Sequence, residues 1–325
     1  MNHQPVLSIL AIALLGSSAI ASATEWAGHN DMDGDGRSDL IWRNSGTGAI
    51  VYWPAANATS RIKLPYTNGL RIWSPAFAIS DFWDNLYDQT SKNDLVLRNS
   101  SGGVGFFNPY DGSIATDSEG PFPFVVDHGD FDGNGLADIL SRDPTSGLNH
   151  VQFGAMVGNF IIEGATTYQQ LPTVGLAWKV AGVGDFDGDG RSDILWRDAS
   201  TGANSIWRSG NVATRLKIAS VPNLDWKIAA IGDYDGDGRS DILWRNMRSG
   251  VNVIWRSGNN LTPQAVAKVS SMAWKVAATG DFNGDGKWDL AWRNSVTGAN
   301  VLWKSAKSTT RQALPTVAVS WSLVM

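Results

Sequence analysis

Hydrophobic residues in this chain come in short runs rather than long ones. In the segment opening at Trp178 they fall at 178–183, 193–197, 204–207 and 214–218, separated by stretches of Gly, Asp, Asn and Ser. Runs of this length, bounded by turn formers, predict β-strands. Asp198-Ala199-Ser200-Thr201-Gly202 has the composition of a hairpin connection. No apolar run keeps a 3.6-residue period for three turns, which excludes stacked helix pairs.

The pattern repeats. Trp178, Trp226 and Trp274 open the segments WKVAGVGDFDGDGRSDILWR, WKIAAIGDYDGDGRSDILWR and WKVAATGDFNGDGKWDLAWR, 48 residues apart. The first aspartate of the following turn extends the series to Asp31, Asp81, Asp130, Asp185, Asp233 and Asp281, with steps of 50, 49, 55, 48 and 48. Six units of four strands each are the signature of propeller blades. The expected fold is an all-β β-propeller of four-stranded blades, with six favoured and seven as the alternative. The terminal Trp321-Ser322-Leu323-Val324-Met325 resembles an opening strand with no turn after it. It is expected to close the ring by joining the last blade to the first. Residues 27–31 suggest a short opening strand for the first unit as well.

Composition sharpens this picture. Of 31 acidic residues only Glu25, Glu119 and Glu163 are glutamates. Helical surfaces use glutamate freely, so its scarcity agrees with an all-β chain. The net charge of −5 gives no basic footprint for nucleic acid. The run Val6–Leu15, followed by Ala21-Ser22-Ala23, reads as an export signal over 1–23, although no Lys or Arg precedes it. Residues 24–325 then form one domain, secreted or held in the periplasm or at the cell surface, with no membrane span. Cysteine is absent, so an exported chain must be stabilised without disulfides.

The turn between the first and second strands carries the chemistry. Its form is Asp-x-Asp-Gly-Asp-Gly-x-x-Asp. Calcium takes six to eight oxygen ligands. Carboxylates at positions 1, 3 and 5, a backbone carbonyl at 7 and a glycine at 6 for the sharp bend can supply such a cage. The first half resembles an EF-hand loop; the second half does not, because Trp196 stands where an EF-hand has glutamate. Instead Asp193 at position 9 leads straight into a strand. Several carboxylates within nine residues repel one another unless a cation sits among them.

With this loop at near-constant spacing, the chain resembles the FG-GAP or VCBS-type repeats of bacterial secreted proteins, related to the propeller of integrin α chains. The resemblance implies Ca²⁺ bound in the loops and a role in adhesion or recognition. Carried onto this sequence, it implies five sites. They are Asp31, Asp33, Asp35 and Asp39 with the carbonyl of Arg37; and Asp130, Asp132, Asn134 and Asp138 with that of Leu136. The next two are Asp185, Asp187, Asp189 and Asp193 with Arg191; and Asp233, Asp235, Asp237 and Asp241 with Arg239. The last is Asp281, Asn283, Asp285 and Asp289 with Lys287. The second repeat, Asp81 to Asp88, lacks the glycines and is expected to bind no calcium.

Arginine ends the second strand of every repeat: Arg43, Arg98, Arg142, Arg197, Arg245 and Arg293. With the recurring tryptophans these could bind sugars or pack blades together; packing is favoured. No catalytic constellation stands out. There is no cysteine and no Gly-x-Ser-x-Gly elbow. His29 and His128 read as turn residues. The expectation is a monomeric, non-catalytic module for an extracellular glycan or protein ligand. A hydrolase or lyase acting on a polymer, or a purely structural surface protein, are the alternatives.

Overall fold

The computed structural model describes residues 30–64, 124–154 and 168–324, together with the backbone of six strands between them. The signal segment, residues 27–29 including His29, and the second-repeat loop at Asp81–Asp88 lie outside the described residues. The fold is all-β, built from four-stranded antiparallel blades.

The fourth repeat shows how a blade is made. Its strands are Trp178–Gly184, Asp193–Asp198, Asn204–Trp207 and Leu216–Ile218, paired in chain order. The expected outer strand begins at Leu216 rather than Thr214. Val212–Thr214 instead form a 3-10 turn, and the Asn211 side chain accepts the Ala213 N–H at 2.9 Å. The first strand carries a bulge between Val180 and Gly182, and the fifth and sixth repeats carry it at the same place. A bulge bends and twists a strand.

Side-chain alternation along the second strand sends its two faces to different neighbours. Ile194 and Trp196 pack with Phe131 and Leu140 of the third repeat. Leu195 packs with Ile242 and Trp244 of the fifth. Both faces are therefore core, and every residue of the strand is buried. Trp42, Trp196, Trp244 and Trp292 are at most 2 % exposed. At about 25 cal/mol per Å², burying a ring of about 150–250 Å² contributes roughly 4–6 kcal/mol.

The chain terminus completes the first blade, whose strand order is Trp321–Leu323, Leu40–Asn44, Ile50–Trp53, Ile62–Lys63. Trp42 pairs with Leu323 and Asn44 with Trp321. The closing strand expected from the sequence is thus in place, as the opening strand of the first blade.

The blade number departs from expectation. Contacts among the described residues join five blades side by side, those of the third, fourth, fifth, sixth and first repeats, and not six or seven. The second repeat also forms a four-stranded sheet, Trp73–Ile79, Asp94–Asn99, Val104–Phe107 and Ile114–Asp117. Its side chains lie outside the described residues. Counting repeats assumed that each carries the same docking residues, and the repeats differ there. Leu97 and Ser141 stand in the second and third repeats where the others have the buried tryptophan. Four of the six strand-ending arginines lie over such a ring in the next repeat.

Those four arginines are blade ties. The guanidinium groups of Arg142, Arg197, Arg245 and Arg293 lie 5.1, 4.8, 5.0 and 4.9 Å from the rings of Trp196, Trp244, Trp292 and Trp42 in the next blade. Arg197 donates to its own blade at Gly202 O (3.1 Å) and Asn204 Oδ1 (3.0 Å). It also donates to Val221 O (3.0 Å) and Trp226 O (3.3 Å) leading into the next. The packing role favoured from sequence is the one these side chains fill. His128, read as a turn residue, lies buried within the strand Val125–Gly129.

Candidate metal centres

The loops of the third to sixth repeats begin where a first strand ends and close at the aspartate that opens the second, and the first repeat's loop closes at Asp39, just before Leu40–Asn44. Position 1 organises the bend. Asp185 Oδ1 accepts the Gly188 N–H at 2.7 Å, and Oδ2 accepts the Gly190 N–H at 2.8 Å. Gly190 has φ 81°, a left-handed conformation that glycine adopts without a Cβ penalty. The same bonds recur at Asp31, Asp130, Asp233 and Asp281.

Position 9 is a second anchor whose reach the sequence did not reveal. Asp193 Oδ2 accepts the N–H of Phe186 at 2.9 Å, while Oδ1 accepts that of Ser209 at 2.8 Å. Ser209 lies just past the third strand with φ 46°, unusual for a residue with a side chain. Ala55, Ser257 and Ser305 repeat this arrangement beside Asp39, Asp241 and Asp289. The signal was present as Arg208-Ser209-Gly210, Arg256-Ser257-Gly258 and Lys304-Ser305-Ala306, at a fixed distance after each loop.

Four loops bring three carboxylates together, with ligand oxygens within 4.8 Å of one another. They are Asp31, Asp33 and Asp39; Asp130, Asp132 and Asp138; Asp185, Asp187 and Asp193; and Asp233, Asp235 and Asp241. These are positions 1, 3 and 9. The expected position-5 ligands Asp35, Asn134, Asp189 and Asp237 instead accept the position-7 N–H groups of Arg37, Leu136, Arg191 and Arg239 at 2.7–2.9 Å. The sixth loop has Asn283 at position 3, which leaves Asp281 and Asp289 as its matching carboxylates.

The electrostatics are those of acids lacking a counter-charge. Burial pushes Asp39 up to about 8 and Asp138, Asp193, Asp241 and Asp289 up to about 7. Backbone N–H donors oppose the shift, and neighbouring loop aspartates add to it. Burial likewise raises Asp31, Asp130, Asp185 and Asp233. Asp235 Oδ1 and Asp289 Oδ2 are buried with no hydrogen-bond partner. In the sixth loop the Phe282 N–H bonds Gly280 O at 3.1 Å, rather than position 9 as its counterparts do. All-oxygen, acidic and partly orphaned donor sets fit a hard divalent cation such as calcium. Bound there, a cation would supply the missing positive charge. These clusters could hold a metal ion.

Two loops carry part of that charge already. Arg208 Nε lies 3.1 Å from Asp187 Oδ2, and Arg256 Nε lies 3.1 Å from Asp235 Oδ2. The equivalent residues of the first and third repeats are Pro54 and Phe153.

The loops also touch one another. In four of them the position-8 N–H donates to the position-1 carbonyl of the preceding loop around the ring. The bonds are Ser192 to Asp130 (2.6 Å), Ser240 to Asp185 (2.6 Å), Trp288 to Asp233 (2.7 Å) and Ser38 to Asp281 (2.9 Å).

An FG-GAP-like repeat model matches residues 130–196, 185–244 and 233–292, together half of the chain. This chain belongs to the FG-GAP-like repeat family. None of the curated proteins matches this FG-GAP-like chain. Among solved structures, one from a nidogen/laminin complex is similar at TM-score 0.52 and 12% identity, covering 88% of this chain and 96% of that one. A virginiamycin B lyase from Staphylococcus aureus aligns at TM-score 0.44 and 10% identity, covering 85% of this chain and 80% of that one. At such identities the likeness concerns fold alone. No helix among the described residues is long and apolar enough to cross a membrane.

Proposed function

We propose that this FG-GAP-like protein is an exported, non-catalytic recognition propeller, held rigid by calcium in its loops and binding an extracellular glycan or protein. The observation that carries the metal part is the fourfold recurrence of the same carboxylate trio at blade junctions. Each metal would replace like-charge repulsion with ligation at a point where one blade bonds the next. At calcium tenfold above its dissociation constant, each site would stabilise the fold by about 1.4 kcal/mol. That is a route to stability for a chain without cysteines. The leader-like segment supports export, and the family membership supports recognition.

The test is thermal unfolding in excess calcium and after metal removal, with bound ions counted by native mass spectrometry. A higher midpoint with at least four ions bound supports the reading. An unchanged midpoint with no ions removes calcium from it. A glycan and extracellular-protein array, probed with and without chelator, tests recognition, and silence across the array would sink that part.

A further inference from the structure

The blade junctions contain two equivalent grooves. One, about 700 Å³, is lined by Trp42, Trp53 and Trp321 of the first blade and by residues 315–317, which follow the sixth blade's outer strand. The other, about 680 Å³, is lined by Trp178, Trp196 and Trp207 of the fourth blade and by residues 172–175, which follow the third blade's outer strand. In each, two rings form a tilted pair, Trp42–Trp53 at 4.9 Å and Trp196–Trp207 at 5.1 Å between centroids. The third ring, Trp321 or Trp178, is only partly buried and offers indole surface to the groove.

The rims distinguish these two junctions from the others. Arg61 and Lys63 line the first groove, and Arg215 and Lys217 line the second. They occupy the same register: Lys63 pairs opposite Val51 and Lys217 opposite Ser205. Residues two apart on an extended segment share a face, about 6.6 Å apart. All four are exposed, and none is in an ion pair among the described residues. The equivalent pairs elsewhere are Tyr168 and Gln170, Pro263 and Ala265, and Arg311 and Ala313. Only the first and fourth blades, among the five, join a partly exposed tryptophan, backed by a buried tryptophan pair, to two cations.

We infer that these two grooves bind an acidic oligosaccharide, one carrying carboxylates on successive or alternating sugars. The apolar face of a pyranose ring packs on indole, as aromatic-lined sites favour. Arginine engages a carboxylate through a planar fork, and lysine adds a second point charge beyond it. Two cations in line suit an oligomer better than a single sugar. This inference rests on the recognition reading above and names its site and ligand class.

The experiment uses the full-length mature protein in calcium, titrated with a β-1,4-linked hexaglucuronate and, as control, with cellohexaose. Binding is followed by calorimetry and tryptophan fluorescence. The expected result is two hexaglucuronate sites, weakened by added salt, with cellohexaose at least tenfold weaker. Arg61→Ala with Lys63→Ala should reduce the stoichiometry from two to one. Adding Arg215→Ala and Lys217→Ala should weaken what remains at least tenfold. Arg→Gln and Lys→Gln versions at the same exposed positions guard against a folding defect, checked by an unchanged thermal midpoint. Undiminished binding by a folded four-site variant overturns the inference, as does equal binding of the neutral hexamer or no binding of either. An array ligand unaffected by these variants would leave the recognition reading standing while removing the grooves.

Discussion

The position-9 aspartates decide how this protein answers to pH. Folding buries Asp39, Asp138, Asp193, Asp241 and Asp289 and raises their pKa values from the ordinary 3.8 to about 7 or 8. A group whose folded pKa is raised binds its proton more tightly in the folded state. Its contribution is complete below about pH 4 and is lost as pH rises through about 7. Metal-free protein should therefore melt at a higher temperature at pH 5 than at pH 8. Calcium should reverse the order, because it needs the ionised carboxylates that low pH removes. Scanning calorimetry of demetallated protein, with and without added calcium at both pH values, checks this; a metal-free midpoint that rises from pH 5 to pH 8 would contradict it. Arg208 and Arg256 act on the same acids. Each guanidinium competes with a cation for Asp187 or Asp235. Arg208→Ala and Arg256→Ala should tighten calcium binding at the fourth and fifth loops severalfold, while the first and third loops stay unchanged. Site-resolved calcium titration by NMR would read the difference, and equal or weaker binding would show that the arginines help to build the sites.

At the scale of the strand, a single side chain serves two blades. Arg197 bonds carbonyls on both sides of its junction while lying against Trp244. Lysine keeps the charge but cannot span those acceptors or lie flat on the ring. Arg197→Lys should cost about 2 kcal/mol, from lost charge-assisted hydrogen bonds and the cation–π contact. Equilibrium denaturation measures it, and a loss below about 0.5 kcal/mol would mean the tie is replaceable. The strands themselves were legible in the sequence, since period-two alternation and Gly-Asp turns are local signals. The two faces of the second strand follow the same local alternation, with Ile194 and Trp196 on one and Leu195 and Arg197 on the other. The partners of each face were not legible, because contacts with Phe131 or Trp244 depend on docking between repeats. The bond from Asp193 to Ser209 was hidden for the same reason: it joins residues 16 apart whose spacing only the hairpin brings together.

The whole ring depends on a contact that is remote in sequence. Trp321–Leu323 pairs with Leu40–Asn44, and Arg293 donates to Trp321 O at 2.8 Å and to Val317 O at 3.1 Å. Trp321 also packs against the cluster holding Trp42 and Leu302, which belong to the first and sixth blades. Closure was readable because the terminal residues repeat the opening of a blade without its loop. Blade number was less readable, because the devices that dock blades vary between repeats while the strand pattern does not. Deleting residues 321–325 should expose the edge of Leu40–Asn44 and remove one of the three carbonyls that hold Arg293, that of Trp321. The loss should also reach the first loop, since Ser38 and Asp281 bond across the same junction. The truncated protein is therefore expected to lose about 3 kcal/mol or more of stability and to bind one calcium fewer. A complete second blade junction elsewhere would not compensate, because each tie is local. Denaturation and native mass spectrometry on the truncated chain measure both effects. If stability falls while the calcium count is unchanged, the loops are independent of closure. If neither changes, the terminal strand is a passenger rather than the clasp of the ring.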